Sequence, residues 1–358
     1  MVEREPPRGT LQFELNPPLK DSTQELCVSV GSVRDMEQIT FGIRRDLQAD
    51  VRYEPNACNG YVLDLTLGCP HRCIYCIFSP LERKVYKLLN PHYAGEVIPL
   101  KLDRFLEREE YPPVIYLCYS SDPLAKQARE STKVVLERLF SHNISILFLT
   151  KGIFTDDILE VIDLRPDLMH IQIGITNSDR KRNEIIEPKA SSYEDRLNNF
   201  KKLVKIKGLG SLSVRIDPLF PLIDDVPENI NRIVEDVSAL GVKEAVLGYV
   251  ILTEAMREHL KTNKYLKESV SALTEKTPTI SNRSLYSFPF PKKEEKLYLF
   301  QSLCLEKGMT MATCGCKDKR LKGLSIPYIC HPFYRKKRNR SPQRTQRTQR
   351  DYSLKPRT

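Results

Sequence analysis

The chain has 358 residues, 41% hydrophobic and 28% charged, which is enough apolar content to bury a sizeable core. No apolar run approaches the roughly 18 residues that a membrane helix needs, and the opening MVEREPPRGTLQFELNPP has no secretory apolar stretch, so a cytoplasmic protein is the expectation. The formal net charge is +10, but ten Lys/Arg against Asp351 place +9 of it within residues 335–358, which leaves a near-neutral body and excludes a uniformly basic nucleic-acid-binding domain.

In chain order, residues 1–55 are irregular and rich in charge and proline, and read as an N-terminal extension. Short apolar, β-branched runs then mark strands at 61–67, 114–119, 144–150, 169–175, 211–216 and 245–249. Helical patterns fall at 131–140, 156–162, 193–207 and 227–240. This alternation predicts an α/β fold with a parallel sheet, a partial (β/α)6 TIM-type barrel over 56–275. The stretch KTPTISNRSLYSFPFPKK around 276–293 interrupts the pattern. A helix at 294–306 and a cysteine-bearing segment follow, so 276–334 is predicted to form a C-terminal cap. Residues 335–358 lack apolar periodicity and read as a disordered basic tail.

Ten cysteines without a secretory signal point to metal or redox chemistry rather than to disulfides. The sharpest spacing is YVLDLTLGCPHRCIYCIF, where Cys69, Cys73 and Cys76 follow the first strand as Cys-x3-Cys-x2-Cys. In a barrel of this type the loops at strand C-termini build the active site. Three thiolates there can hold three irons of a [4Fe–4S] cluster and leave the fourth iron open to a small chelator such as S-adenosylmethionine. An electron from the cluster then cleaves a carbon–sulfur bond and releases a 5′-deoxyadenosyl radical. The competing holder is zinc, with His71 or a distant cysteine as fourth ligand.

The triplet resembles that of the radical S-adenosylmethionine superfamily. The order of CYSSDP at 118–123, LTKG at 149–152, EPKASSYEDR at 187–196 and VRIDPLFP at 214–221 is similar to that of its spore photoproduct lyase-like branch. The resemblance covers about 60–250. It implies that Cys69, Cys73 and Cys76 are cluster ligands, that Tyr75 packs near the cluster or adenine, and that Lys151 and Arg215 contact S-adenosylmethionine. The residue reading also allows Lys151 and Arg215 to form salt bridges to a barrel carboxylate such as Asp217. In lyases of the branch a cysteine placed like Cys118 donates a hydrogen atom to the product radical, a role that suits a weak S–H bond. The alternative for Cys118 is an ordinary small residue of an apolar strand. Ile77 departs from the branch, which tends to carry an aromatic residue there. The resemblance also implies an electron donor such as flavodoxin or ferredoxin.

Near the end, Cys314, Cys316, Cys330 and His331 form a second set of soft ligands that could bind zinc or another cluster. Tyr328, Phe333 and Tyr334 beside the basic tail could stack bases. Three functions therefore stand. The first is a radical enzyme of DNA-repair type, a lyase acting on nucleic acid held partly by the tail. The second is the same chemistry on a protein, peptide or small molecule. The third is a non-catalytic, zinc-structured nucleic-acid-binding protein.

Overall fold

In this computed structural model the described residues are 62–65, 69–76, 103, 114–126, 128–279 and 284–328. The expected N-terminal extension, Ile77 and the loop after it, the tail, Cys330 and His331 lie outside them.

Nine strands are described: β1 (Val62–Leu63), β2 (Val114–Leu117), β3 (Ser145–Thr150), β4 (Met169–Gly174), β5 (Ser211–Leu219), β6 (Glu244–Tyr249), β7 (Glu275–Pro278), β8 (Ser284–Ser287) and β9 (Thr310–Thr313). Seven of them form one sheet in the order β1-β2-β3-β4-β5-β6-β9. Every neighbouring pair in it runs parallel. Among the described residues β1 and β9 do not pair, so the sheet is a partial barrel, as expected. The helices are α1 (Arg129–Ser141), α2 (Asp156–Leu164), α3 (Arg180–Ile186), α4 (Tyr193–Leu203), α5 (Pro227–Ala239), α6 (Glu254–Lys261), α7 (Lys267–Ser271) and α8 (Phe290–Glu306). None of them is long and apolar enough to cross a membrane.

Strand alternation separates two faces. Leu117, Phe148, Ile171, Val214, Ile216 and Leu247 are all fully buried on one of them. Each such side chain removed from water contributes about 1.5–3 kcal/mol. The other face is more polar. Along it the register runs Leu149, Gln172, Ser213, Glu244 and Thr310 at one level, then Gly174, Arg215, Val246 and Ala312 one step nearer the strand C-termini. By the same alternation Lys151, Asp217 and Cys314 share this face at the C-terminal rim.

Helix starts follow local chemistry. Ser192 and Asp195 form a capping box at α4, and Asp179 caps α3 by accepting from the Arg182 backbone amide at 2.6 Å. Pro227 opens α5, where its missing N–H costs nothing.

The structure also shows elements that the periodicity did not reveal. Within the polar stretch at 276–293, β7 and β8 form an antiparallel pair, and α8 begins at Phe290. The cysteine-bearing segment supplies β9, a seventh strand of the main sheet.

Candidate active site

The cysteine loop follows β1 and is stitched to the segment after α3. The Ile74 amide donates to the Ile186 carbonyl at 3.1 Å, and the Lys189 amide donates to the His71 carbonyl at 3.2 Å. Cys69, Cys73 and Cys76 are free and half-buried. Burial pushes the Cys69 thiol up, and nearby Asp122, Cys73 and Cys76 add to this. Cys73 is pushed up to about 12, first by burial and then by Glu187. The three thiols therefore lie within electrostatic reach of one another. Among the described residues no three or more His, Cys, Asp or Glu side chains converge as an assembled metal cage. What the loop offers is a soft donor set on one short segment, the chemistry that iron–sulfur clusters take. His71 is directed away from such a role: its Nδ1 lies 3.4 Å from Asp122 Oδ2.

Glu187 organises the space behind the loop. Tyr75 donates its hydroxyl to Glu187 Oε1 at 2.6 Å. Arg196 Nη1 lies 2.7 Å from Oε2, and Lys151 Nζ lies 3.9 Å from Oε1. Burial would raise the Glu187 carboxyl, but Arg196, Lys151 and Arg182 hold it well below the usual carboxylate range. The Lys151 ammonium also sits 5.6 Å from the centre of the Tyr75 ring. That ring leans on Phe220, with centroids 6.1 Å apart.

Asp122, in the stretch after β2, holds the rim together. Its carboxylate accepts from the Leu124 amide at 2.9 Å, the Thr150 hydroxyl at 2.7 Å and the Lys151 amide at 2.7 Å. The Lys151 carbonyl accepts from the Ser191 hydroxyl at 2.7 Å, and Arg196 Nη1 donates to the Gly174 carbonyl at 2.8 Å. Gly174 lies close under this side chain: a Cβ on it would stand 3.0 Å from Lys151 Cε and 3.1 Å from Nζ, so the lysine would have to shift.

Cys118 lies at the end of β2, 1% exposed, in left-handed backbone at φ 57°. Its amide donates to the Leu63 carbonyl at 2.7 Å. Burial, and then the Asp64 carboxylate, push the thiol well above its ordinary range, so it is held as S–H. Arg215 Nη1 donates to Gln172 Oε1 at 2.8 Å, and Nη2 to Asp217 Oδ2 at 2.6 Å. The salt-bridge alternative is thus the observed contact for Arg215, while Lys151 pairs with Glu187 rather than with Asp217.

The sequence had placed Glu187 and Arg196 in a motif without giving them a role. Their spacing, with the capping serine between them, carried the only signal. Lys317, which ion-pairs with Asp217, gave none. In the second cysteine set, Cys314 is buried and Cys316 is disulfide-bonded. With the other two outside the described residues, a second metal site is not shown.

Residues 63–221 match the Radical SAM superfamily. A parallel α/β partial barrel with a three-cysteine loop after its first strand defines a radical SAM enzyme, and this chain carries that domain. The superfamily works with a [4Fe–4S] cluster and S-adenosylmethionine, and the soft donor set Cys69, Cys73 and Cys76 fits that cluster.

Among individual proteins, the chain is similar in structure to spore photoproduct lyase complexed with dinucleoside spore photoproduct. The TM-score is 0.57 at 16% identity, covering 75% of this chain and 80% of that one. A variant of that lyase with bound AdoMet and dinucleoside spore photoproduct gives the same values. In sequence it is 22% identical over 277 residues to the "Uncharacterized protein ORF301" of Acidianus two-tailed virus, 67% of this chain and 90% of the relative.

Proposed function

We propose that the protein is a lyase-like radical enzyme of DNA-repair type that acts on a nucleic-acid substrate in the cytoplasm, with Cys118 as hydrogen-atom donor. The observation that carries the reading is Cys118 itself: a buried thiol held protonated at the C-terminal end of β2. Only the protonated form has an S–H hydrogen to give. The likeness in fold to spore photoproduct lyase and the basic tail at 335–358 support nucleic acid as the substrate.

In this reading Cys69, Cys73 and Cys76 are the cluster ligands. When bound, the cluster and S-adenosylmethionine supply a 5′-deoxyadenosyl radical. Lys151 offers its ammonium to the carboxylate of S-adenosylmethionine, and Arg215 offers its guanidinium to the same molecule. Tyr75 gives that molecule an aromatic wall, fixed by Glu187. A flavodoxin- or ferredoxin-like protein supplies the electron. Cys314 and Cys316, with Cys330 and His331, would be a second metal site only with the Cys316 disulfide reduced, since a metal needs the thiolate.

Cys118→Ala tests the reading on oligonucleotides carrying cross-linked pyrimidines. The variant is expected to cleave S-adenosylmethionine as the wild type does but to release products lacking the returned hydrogen. Wild-type products from the variant would contradict the donor role. Removing residues 335–358 separates the substrates: loss of oligonucleotide binding supports nucleic acid, while unchanged turnover on a peptide or small molecule points to the second substrate class.

A further inference from the structure

The turn after β9 is unused by the site so far, yet it reaches into the barrel. Lys317, whose amide donates to the Cys314 carbonyl at 3.1 Å, sends its ammonium to Asp217 Oδ1. Asp217 is 4% exposed, and its other oxygen is taken by Arg215. Its position is boxed from the side as well. On β6, Gly248 leaves just enough room, because a Cβ there would lie 3.0 Å from the Asp217 carboxyl carbon. Burial would raise the Asp217 carboxyl, but Lys317 and then Arg215 hold it below the ordinary range.

The arm is anchored on both sides. The Thr313 and Gly315 amides donate to the Pro327 and Tyr328 carbonyls at 2.6 and 3.0 Å. Asp318, next to Lys317, is paired at 2.8 Å with Lys293 of α8 and is also held by Arg320. Lys317 is thus presented on a rigid support rather than on a loose end.

We infer that Lys317 is a positioning residue of the active site, which through Asp217 fixes the Arg215 guanidinium and so sets the affinity for S-adenosylmethionine. Without Lys317 the Asp217 carboxylate is held at one oxygen instead of two and can turn in its pocket, so Arg215 loses a fixed acceptor for Nη2. Arg215 would then keep Gln172 as its charge-neutral anchor. The inference rests on Arg215 being a contact of S-adenosylmethionine, as proposed above.

The test is equilibrium binding of S-adenosylmethionine to the anaerobically reconstituted full-length protein without reductant, alongside iron content and the unfolding midpoint. Lys317→Ala is expected to bind about tenfold more weakly with iron content unchanged. Lys317→Arg should restore binding, because it keeps charge and reach. Asp217→Asn should weaken binding similarly, and the double variant Lys317→Ala/Asp217→Asn should be no worse than Asp217→Asn alone. Should Lys317→Ala fail to fold, Lys317→Gln takes its place. Wild-type binding by the Lys317 variant, with weakened binding by Arg215→Ala, overturns the inference and leaves the proposed function standing. Wild-type binding by both removes Arg215 from the site, and the inference falls with that assignment.

Discussion

Lys151 shows how much of the site depends on single side chains being given room. Its amide is fixed by Asp122, its carbonyl by Ser191 and its ammonium by Glu187 and the Tyr75 ring. The bare Cα of Gly174 leaves room for the Lys151 methylenes where they stand, since a Cβ would come within 3.0 Å of them. Gly174→Ala is therefore expected to displace the ammonium and weaken S-adenosylmethionine binding about tenfold, near 1.4 kcal/mol. Secondary structure should be retained, because alanine tolerates the β region. Titration calorimetry on the reconstituted protein checks this, and unchanged affinity would remove Lys151 from the binding site. Lys151, Cys118 and Arg215 were legible because they lie in the strand-associated motifs LTKG, CYSSDP and VRIDPLFP that carry the family resemblance. Glu187 and Lys317 lie in connecting segments, where a charged residue is the norm and nothing local distinguishes a buried partner from a solvated one.

The elements of the barrel were legible for the same reason that they fold. Strands of a parallel sheet buried on one face read as apolar runs, and α4 and α5 start at a serine capping box and a proline. The short helix α3 and the β7–β8 pair were not, since a seven-residue helix rich in Arg and Lys and a polar Pro-containing strand pair have no periodicity to detect. These late elements are held by charge. Glu275 of β7 and Asp318 both pair with Arg320, and Asp318 also pairs with Lys293. Burial would raise Asp318, but Arg320 and Lys293 hold it at about 2, below its ordinary 3.8. A depressed carboxyl contributes stability that is present above 3.8 and lost as pH falls toward 2. Hydrogen exchange should therefore show residues 310–328 loosening over that window, while Asp318→Asn should be loose at neutral pH with a flatter acid response. A segment that stays equally protected throughout would contradict the role given to this cluster.

At the scale of the whole molecule, a parallel sheet with one apolar face and one more polar face directs the proposed chemistry to the C-terminal ends of its strands, where the cysteine loop and Lys151 lie. Of the net charge of +10, +9 lies in residues 335–358, so in the proposed reading substrate attraction and radical chemistry reside in different parts of the chain. The central claim is that the rim holds a cluster through Cys69, Cys73 and Cys76 and uses it on S-adenosylmethionine. The measurement that bears on it most directly is iron and sulfide content, with 5′-deoxyadenosine formation after reduction, for the anaerobically reconstituted wild type and Cys73→Ala. About four irons per chain with 5′-deoxyadenosine formed, and both lost in Cys73→Ala, is the predicted result. A wild type that binds zinc without iron and leaves S-adenosylmethionine intact would contradict it.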